Sequence, residues 1–165
     1  MTSACLSCIA TALVLLLSAN GAPILADKLL RRRYARPIDG GLRLGDGHPL
    51  FGAAKTWRGL IASAWLTASI GWLLGLPALL GGLFALFSMS GDLTASFLKR
   101  RIGKIESSRA RGFDTLPESV LPTYLMKDAL ALSTWDIALV AIAFFLMEEF
   151  GSPLLYKWHI RRRPY

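Results

Sequence analysis

Apolar segments alternate with polar, basic stretches along the whole of this chain. Three segments stand out by length: about Ala4 to Leu25, Leu60 to Leu76, and Ala78 to Phe97. Each is close to the roughly 20 residues that a helix needs to cross a bilayer. The first has no Lys or Arg before it, so it predicts an uncleaved helix rather than a signal peptide. Pro77, at the break between the second and third segments, predicts a tight turn.

The C-terminal third fits either one long helix or two shorter ones. Its end, from Lys157 to Arg163, is as basic as the stretches that follow the first and third segments. Because basic stretches stay on the cytoplasmic side, the chain must cross the membrane an even number of times to bring this end back. We therefore expect two helices, about Leu116 to Leu132 and Asp136 to Tyr156.

The predicted fold is an all-α, polytopic membrane bundle of five transmembrane helices. Its N-terminus lies outside and its C-terminus is cytoplasmic. Residues 1–165 form a single domain, with cytoplasmic loops at about 27–58 and 98–115.

Composition supports a membrane protein. Hydrophobic residues make up 53% of the chain and charged residues 18%, below the roughly 25% charged of a soluble domain. Mean hydropathy is +0.44. The net charge of +8 lies in short runs beside apolar segments, which favours topogenic and anionic-lipid roles over nucleic-acid binding. Cys5 and Cys8 have no partners at metal-ligand spacing, so we interpret them as small apolar side chains.

Acidic and basic side chains meet at the end of the third segment. Asp92 and Ser96 lie one helical turn apart, and Lys99 and Arg100 follow one turn later, so all four share one stripe. A carboxylate inside a membrane segment is a functional hypothesis by default. The basic residues alone could equally be a cytoplasmic flank.

Further charges lie on neighbouring segments. Asp114 and Glu118 repeat the four-residue spacing on the fourth segment. Lys55 and Arg58 open the second segment, where a helix N-terminus favours anions, although a topogenic flank explains them as well. Glu148 and Glu149, in the fifth segment, could pair with Lys127 or line a polar cavity, and the sequence leaves this open.

Four segments of the chain resemble the CDP-archaeol synthase family, a branch of the CTP-dependent phosphatidate cytidylyltransferases. They are PIDGG (Pro37 to Gly41), GAAKTWRGL (Gly52 to Leu60), GDLTASFLKRR (Gly91 to Arg101) and FDTLPES (Phe113 to Ser119). The last differs from the DQLD-like segment of archaeal members and is the form of bacterial relatives. The resemblance implies an integral membrane enzyme that transfers CMP from CTP to a lipid phosphate, using Mg²⁺ and releasing pyrophosphate.

The chemistry of this reaction suggests roles for particular residues. A lipid phosphate is already an anion, so the site need only screen charge and align the reactants. The expected metal ligands are Asp92, Asp114 and Glu118. Catalysis is expected to use these three carboxylates with Ser96 and Lys99. The residues expected to bind substrate phosphates are Lys55, Arg58, Lys99 and Arg100, with Asp39 either facing the nucleotide or forming a turn.

The expected partners are CTP, an archaetidic- or phosphatidic-acid-like membrane lipid phosphate and the bilayer, with no nucleic acid. The expected location is the inner (cytoplasmic) membrane, with the active face towards the cytoplasm, and the chain could form a homodimer. Two other functions stay open. A non-catalytic lipid-binding scaffold could use the same basic loops, and a small transporter could place Asp92, Lys127 and Asp128 on an ion path.

Overall fold

The computed structural model describes residues 4–31, 33–103 and 115–157, with side chains described as far as residue 151. These residues contain five α-helices and no strand, which confirms the predicted all-α fold. The helices are α1 (Leu6–Leu30), α2 (Trp57–Leu73), α3 (Ala78–Arg101), α4 (Thr115–Leu125) and α5 (Thr134–Lys157). The number of membrane crossings and the sides of the two termini stay predictions.

Two helices of the described chain, α1 and α3, are long and apolar enough to cross a membrane by length and composition. The fourth helix is shorter than expected. It contains Pro122 and ends at Leu125 instead of Leu132, so its 11 residues span only about 16 Å. Turns follow it, and the Leu132 N–H donates to the Lys127 carbonyl at 2.8 Å.

Small residues bring α2 against its neighbours. The buried positions of α2 recur every four residues, as Gly59, Ser63, Thr67 and Gly71. Such a stripe lets helix backbones approach closely, which drives helix association where lipid supplies no hydrophobic force. The Ser63 hydroxyl donates to the Ala19 carbonyl of α1 at 2.8 Å.

The bundle is organised around α1 and α3. Helix α1 contacts α2, α3 and α5, and α4 packs between α3 and α5. An apolar core fills the space among α1, α3, α5 and the turns after α4. Its fully buried members are Ala12, Leu15, Leu16, Phe84, Val140 and Phe144.

The outer surface carries large apolar side chains while the interior contains hydroxyls. Trp65 is 73% exposed and Trp135 is 74% exposed, whereas Thr67 and Thr123 are completely buried. Water would disfavour this distribution, but hydrocarbon would not, since apolar side chains are solvated by lipid. The surface therefore agrees with the membrane environment indicated by composition.

The N-terminal end of α1 is tied to the start of α5. Asp136 accepts hydrogen bonds from the Ser133 N–H at 2.9 Å and from the Cys5 N–H at 3.2 Å. Cys5 and Cys8 form a disulfide, with their Cα atoms 5.2 Å apart. Our interpretation of them as unbonded apolar side chains is wrong, because the start of the helix brings positions three apart together.

We predict that Gly81→Ala destabilises the protein by about 1–3 kcal/mol, the usual cost of overpacking. A Cβ at this position would lie 2.6 Å from the Thr67 carbonyl oxygen of α2, and that backbone has no rotamer to change. The control is Gly82→Ala, whose Cβ would make only an ordinary 3.9 Å contact with Ala68. Unfolding of both variants in detergent measures the difference, and equal midpoints would contradict this account of the α2–α3 contact.

Candidate active site

A compact loop between α1 and α2 is built around Asp39. Its carboxylate accepts hydrogen bonds from the N–H groups of Gly41 (2.9 Å), Phe51 (2.9 Å) and Gly52 (3.0 Å). Burial alone would raise the pKa of Asp39, but these three donors outweigh it and bring the pKa below its ordinary value. Of its two predicted roles, this geometry favours the turn-forming one.

The loop places Lys55 at the mouth of α2. The Ile38 N–H donates to the Lys55 carbonyl at 2.8 Å, and the Trp57 N–H donates to the Arg36 carbonyl at 3.1 Å. Thr56 then caps α2, since its hydroxyl accepts from the Gly59 N–H at 3.2 Å. These hydrogen bonds hold the backbone of Lys55 and of the two residues that follow it in place.

Lys55 and Asp92 form the ion pair at the centre of the site. The Lys55 ammonium lies 2.7 Å from one Asp92 carboxylate oxygen and 2.5 Å from the other. Both side chains are mostly buried but keep some exposure to solvent. The ammonium between both oxygens occupies the position at which this carboxylate would bind a metal ion.

Glu118 joins this pair because α3 and α4 touch at Gly91. A Cβ on Gly91 would press against the carbonyl oxygen of Pro117 and lie 2.7 Å from the Glu118 nitrogen. Only glycine permits this approach. Glu118 is 5% exposed, and the charges of both Asp92 and Lys55 act on it.

A third carboxylate, Glu148, comes from α5 and was missed as a site residue. The Thr115 hydroxyl donates to it at 3.0 Å, and its charge acts on Glu118. It therefore lines a polar site, while Lys127 lies over the Tyr124 ring at 5.6 Å. We call Asp92, Glu118 and Glu148 the carboxylate cluster.

Glu148 had a signal in the sequence. It lies one helical turn beyond Phe144, on the same side of α5 as Ile137 and Val140, which are buried. A carboxylate that continues the apolar face of a helix points into the bundle.

The last turns of α3 carry the predicted basic residues into the interior. Ser96 is 3% exposed, Lys99 is 7% exposed and Arg100 is 4% exposed. Cations near a helix C-terminus are favoured by the helix dipole. These two buried cations supply positive charge about two helical turns beyond Asp92.

Arg101, next to them, has a different task. Its guanidinium donates to Asp46 at 2.6 Å and to the Pro49 carbonyl at 2.7 Å, and it lies 5.2 Å from the centre of the Phe97 ring. These contacts attach the loop to the end of α3.

Arg58 lies in a separate cluster. It donates to the carbonyls of Arg31 and Arg33, each at 2.8 Å, and to the Asp27 carboxylate at 2.8 Å. Its side chain is 7% exposed. This geometry favours a structural role, tying the end of α1 to the start of α2, over the predicted phosphate-binding role.

The predicted metal site cannot be assembled from the described residues alone. Asp114 lies outside them, and within residues 4–31, 33–103 and 115–151 no group of three or more His, Cys, Asp or Glu side chains is arranged to hold a metal ion. The structure does bring together Lys55, Asp92 and Glu118. The metal ligation by Asp92, Asp114 and Glu118 stays a prediction.

Comparison with known proteins identifies the family. No family model matches the chain. The chain is 34% identical over 120 residues to a CDP-archaeol synthase of Saccharolobus islandicus, an alignment that covers 68% of this chain and 72% of that protein. The chain belongs to the CDP-archaeol synthase family. This confirms the resemblance drawn from the four sequence segments.

Two further CDP-archaeol synthases match at 38% identity. The one from Thermococcus onnurineus aligns over 59% of this chain and 61% of its own length, and the one from Hyperthermus butylicus over 64% and 63%. The chain thus spans somewhat less than two thirds of these two relatives.

A solved structure has the same fold. It is that of an intramembrane enzyme for archaeal membrane lipid biosynthesis, with a TM-score of 0.66 and 25% identity, covering 84% of this chain and 90% of that one. Together with the apolar helices, this likeness indicates that the chain is a membrane protein.

We predict that acid weakens the loop through Asp39. Because its folded pKa lies below its ordinary value of 3.8, its contribution to stability is complete above that value and is lost as pH falls through the folded pKa. Hydrogen exchange at Phe51 and Gly52, corrected for intrinsic rates, should lose protection below about pH 4. In Asp39→Asn this loss should be absent, and an identical pH dependence in both proteins would refute the role of Asp39.

Proposed function

We propose that this protein is a membrane cytidylyltransferase, which transfers CMP from CTP to a lipid phosphate of the archaetidic- or phosphatidic-acid type. The observation that carries this proposal is the carboxylate cluster beside Lys55, with Lys99 and Arg100 buried on the same helix as Asp92. Membership of the CDP-archaeol synthase family supports the reaction class.

The reaction requires no protein nucleophile. An oxygen of the lipid phosphate attacks the α-phosphorus of CTP, a new phosphorus–oxygen bond forms, and the bond to the β-phosphate oxygen breaks to release pyrophosphate. The protein must bring two anions together in line and stabilise the charge that develops. Lys55, Lys99 and Arg100 supply positive charge for this purpose, and Ser96 can donate a hydrogen bond to a phosphate oxygen.

The carboxylates of Asp92 and Glu118 fit the ligand chemistry of Mg²⁺. Asp92 and Glu118 offer hard oxygen ligands, which this ion prefers, and the Lys55 ammonium lies close to both. We propose that they hold the ion with Asp114, which precedes α4 in the sequence. A bound Mg²⁺ would screen the phosphate charges and polarise the reacting phosphorus.

We also propose that the site faces the cytoplasm, in the inner membrane. The loop that carries Lys55 and the end of α3 that carries Lys99 are both basic, and basic segments stay on that side. The expected homodimer stays a prediction.

The alternatives fit less well. An ion path would need charges distributed across the bundle. Lys127 instead lies over Tyr124 and Asp128 is exposed, both beyond the end of α4 that is remote from Glu118. A lipid-binding scaffold would not need carboxylates buried beside one another, since like charges repel each other and an anionic headgroup.

We predict that Asp92→Asn abolishes turnover, with a loss of roughly 100-fold or more, because the amide keeps the shape but removes the charge that holds a cation. The assay follows labelled CTP with Mg²⁺ and a panel of phosphatidic acid, an ether-linked isoprenoid glycerol phosphate and a polyprenyl phosphate. Asp128→Asn, which removes an exposed carboxylate, is the control. A wild-type protein that makes no CDP-lipid from any of them would refute the proposed function.

We predict that Lys99→Ala raises the KM for CTP by about 10-fold or more, because a charge-assisted contact to phosphate is worth about 1.5–3 kcal/mol. Steady-state kinetics at saturating lipid phosphate measures it, with unfolding in detergent as the check on folding. An unchanged KM for CTP in a folded variant would contradict the phosphate role.

A further inference from the structure

Cys5 and Cys8 form a disulfide at the start of α1, and the proposed reaction gives this bond no task. We propose that the disulfide is a reversible redox site. It exchanges with a dithiol of a partner protein and, when oxidised, it secures the start of α1 against α5. This inference does not depend on the proposed cytidylyltransferase function.

The disulfide lies at the end of the bundle opposite the candidate active site. Helix α1 begins beside it and runs for 25 residues, about 37 Å. The helix then ends near the start of α2, where Arg58 donates to the Arg31 carbonyl. The basic residues predict that this second end faces the cytoplasm, so the predicted side of the disulfide is the outer one. Outer compartments are the places where disulfides form and persist.

The start of α1 holds the two cysteines at a separation that suits both redox states. Cys5 is the N-cap of the helix and Cys8 lies in its first turn, with their Cα atoms 5.2 Å apart. Disulfides usually join Cα atoms about 4.4–6.8 Å apart, and residues three apart in an undistorted α-helix are separated by roughly 5 Å. Reduction therefore requires no movement of the helix backbone, which favours a reversible exchange.

The surroundings of the pair suit exchange chemistry. Both cysteines are partly exposed. The Ser7 hydroxyl lies 3.5 Å from the Cys5 sulfur, and a C-x-x-C pair at a helix N-terminus is a setting that stabilises a thiolate. The Asp136 carboxylate opposes a thiolate here, but it accepts hydrogen bonds from both the N–H and the hydroxyl of Ser133.

The exchange balances without a further reagent. A thiolate of the partner attacks one sulfur of the pair, the Cys5–Cys8 bond breaks, and its electron pair leaves on the other sulfur. The second thiolate of the partner then attacks the mixed disulfide and releases the remaining cysteine. The pair gains two electrons and two protons, and the partner dithiol becomes a disulfide.

In the oxidised state the bond links the apolar core to the contact between α1 and α5. Cys8 packs against the core, whereas the Cys5 N–H donates to Asp136 at 3.2 Å. Asp136 is 2% exposed, so this contact is enclosed at the start of α5. Because the disulfide restricts Cys5, its reduction should loosen this end of the bundle while the backbone of α1 stays helical.

The first experiment tests reversibility. The purified full chain in detergent is equilibrated with mixtures of reduced and oxidised glutathione, and its thiols are then counted by denaturation and a gel shift with polyethylene glycol maleimide. We expect a change from no tag to two tags across these mixtures, and the reverse change on reoxidation, because exchangeable disulfides respond to glutathione and structural ones resist it.

The chain contains two cysteines, so the double variant Cys5→Ser, Cys8→Ser is the matched control and should carry no tag. A wild-type chain without tags in every mixture would overturn the reversible exchange. Two tags even in oxidised glutathione would overturn the disulfide itself.

Reduced thioredoxin, whose C-x-x-C dithiol has the chemistry of the proposed partner, is the protein probe. We expect one thioredoxin to be oxidised for each Cys5–Cys8 bond that is lost. No transfer from thioredoxin to a chain that glutathione does reduce would overturn the exchange with a protein dithiol.

The last measurement tests the link to α5. A reductant should lower the midpoint of thermal unfolding of the wild-type chain by about 2–6 °C, and it should leave the midpoint of the double variant unchanged. An unchanged midpoint in a wild-type chain that carries two tags would overturn the stabilising role. None of these readouts uses CTP or a lipid phosphate, so the proposed function and this inference can fail separately.

Discussion

The geometry of the candidate site depends on how closely the backbones of α3 and α4 approach each other at Gly91. Any side chain at this position would meet the Pro117 carbonyl and the Glu118 nitrogen. Because the contact is between backbones, it fixes the relative height of the two helices. Asp92 follows Gly91 directly, so the same contact brings the Asp92 and Glu118 carboxylates together inside the bundle.

Two like charges in such a place need compensation, and the structure supplies it from outside the helix pair. Lys55 comes from the loop before α2 and binds both Asp92 oxygens. The Thr115 hydroxyl of α4 also donates to Glu148 of α5, which ties the start of α4 to α5. Four segments that are distant in sequence therefore meet at one place, and a change in any one of them is felt by the others.

Polar side chains are also buried in the interior of the bundle away from the site. Two hydroxyl groups on α4 donate hydrogen bonds within their own helix. Ser119 donates to the Thr115 carbonyl and Thr123 to the Ser119 carbonyl, each at 2.6 Å. Glycine, serine and threonine then face inward, because association in lipid relies on close packing rather than on a hydrophobic force. Large apolar side chains face outward, where hydrocarbon solvates them.

The basic residues divide into two groups that their sequence positions do not distinguish. Lys99 and Arg100 are buried on α3, about two turns beyond Asp92. Arg101, directly after them, binds the loop, and Arg58, three residues after Lys55, joins α1 to α2. Adjacent residues on a helix point about 100° apart, so neighbours in a basic run reach different partners.

By itself the sequence determined the helical segments, the membrane setting and the family, because apolar length, basic flanks and short ordered segments such as GDLTASFLKRR are properties of local chain. It also singled out Asp92, Glu118 and Lys55 as candidates, because their residue types are costly beside apolar segments, and the structure places these three side chains near one another. Only the tertiary structure showed that α4 ends early and that Asp39 accepts hydrogen bonds from the backbone of its own loop. It alone placed Arg58 away from Asp92 and Glu148 near Glu118. Each of these depends on which partner a side chain meets across the bundle, and the spacing along one helix carries no information about the face of another.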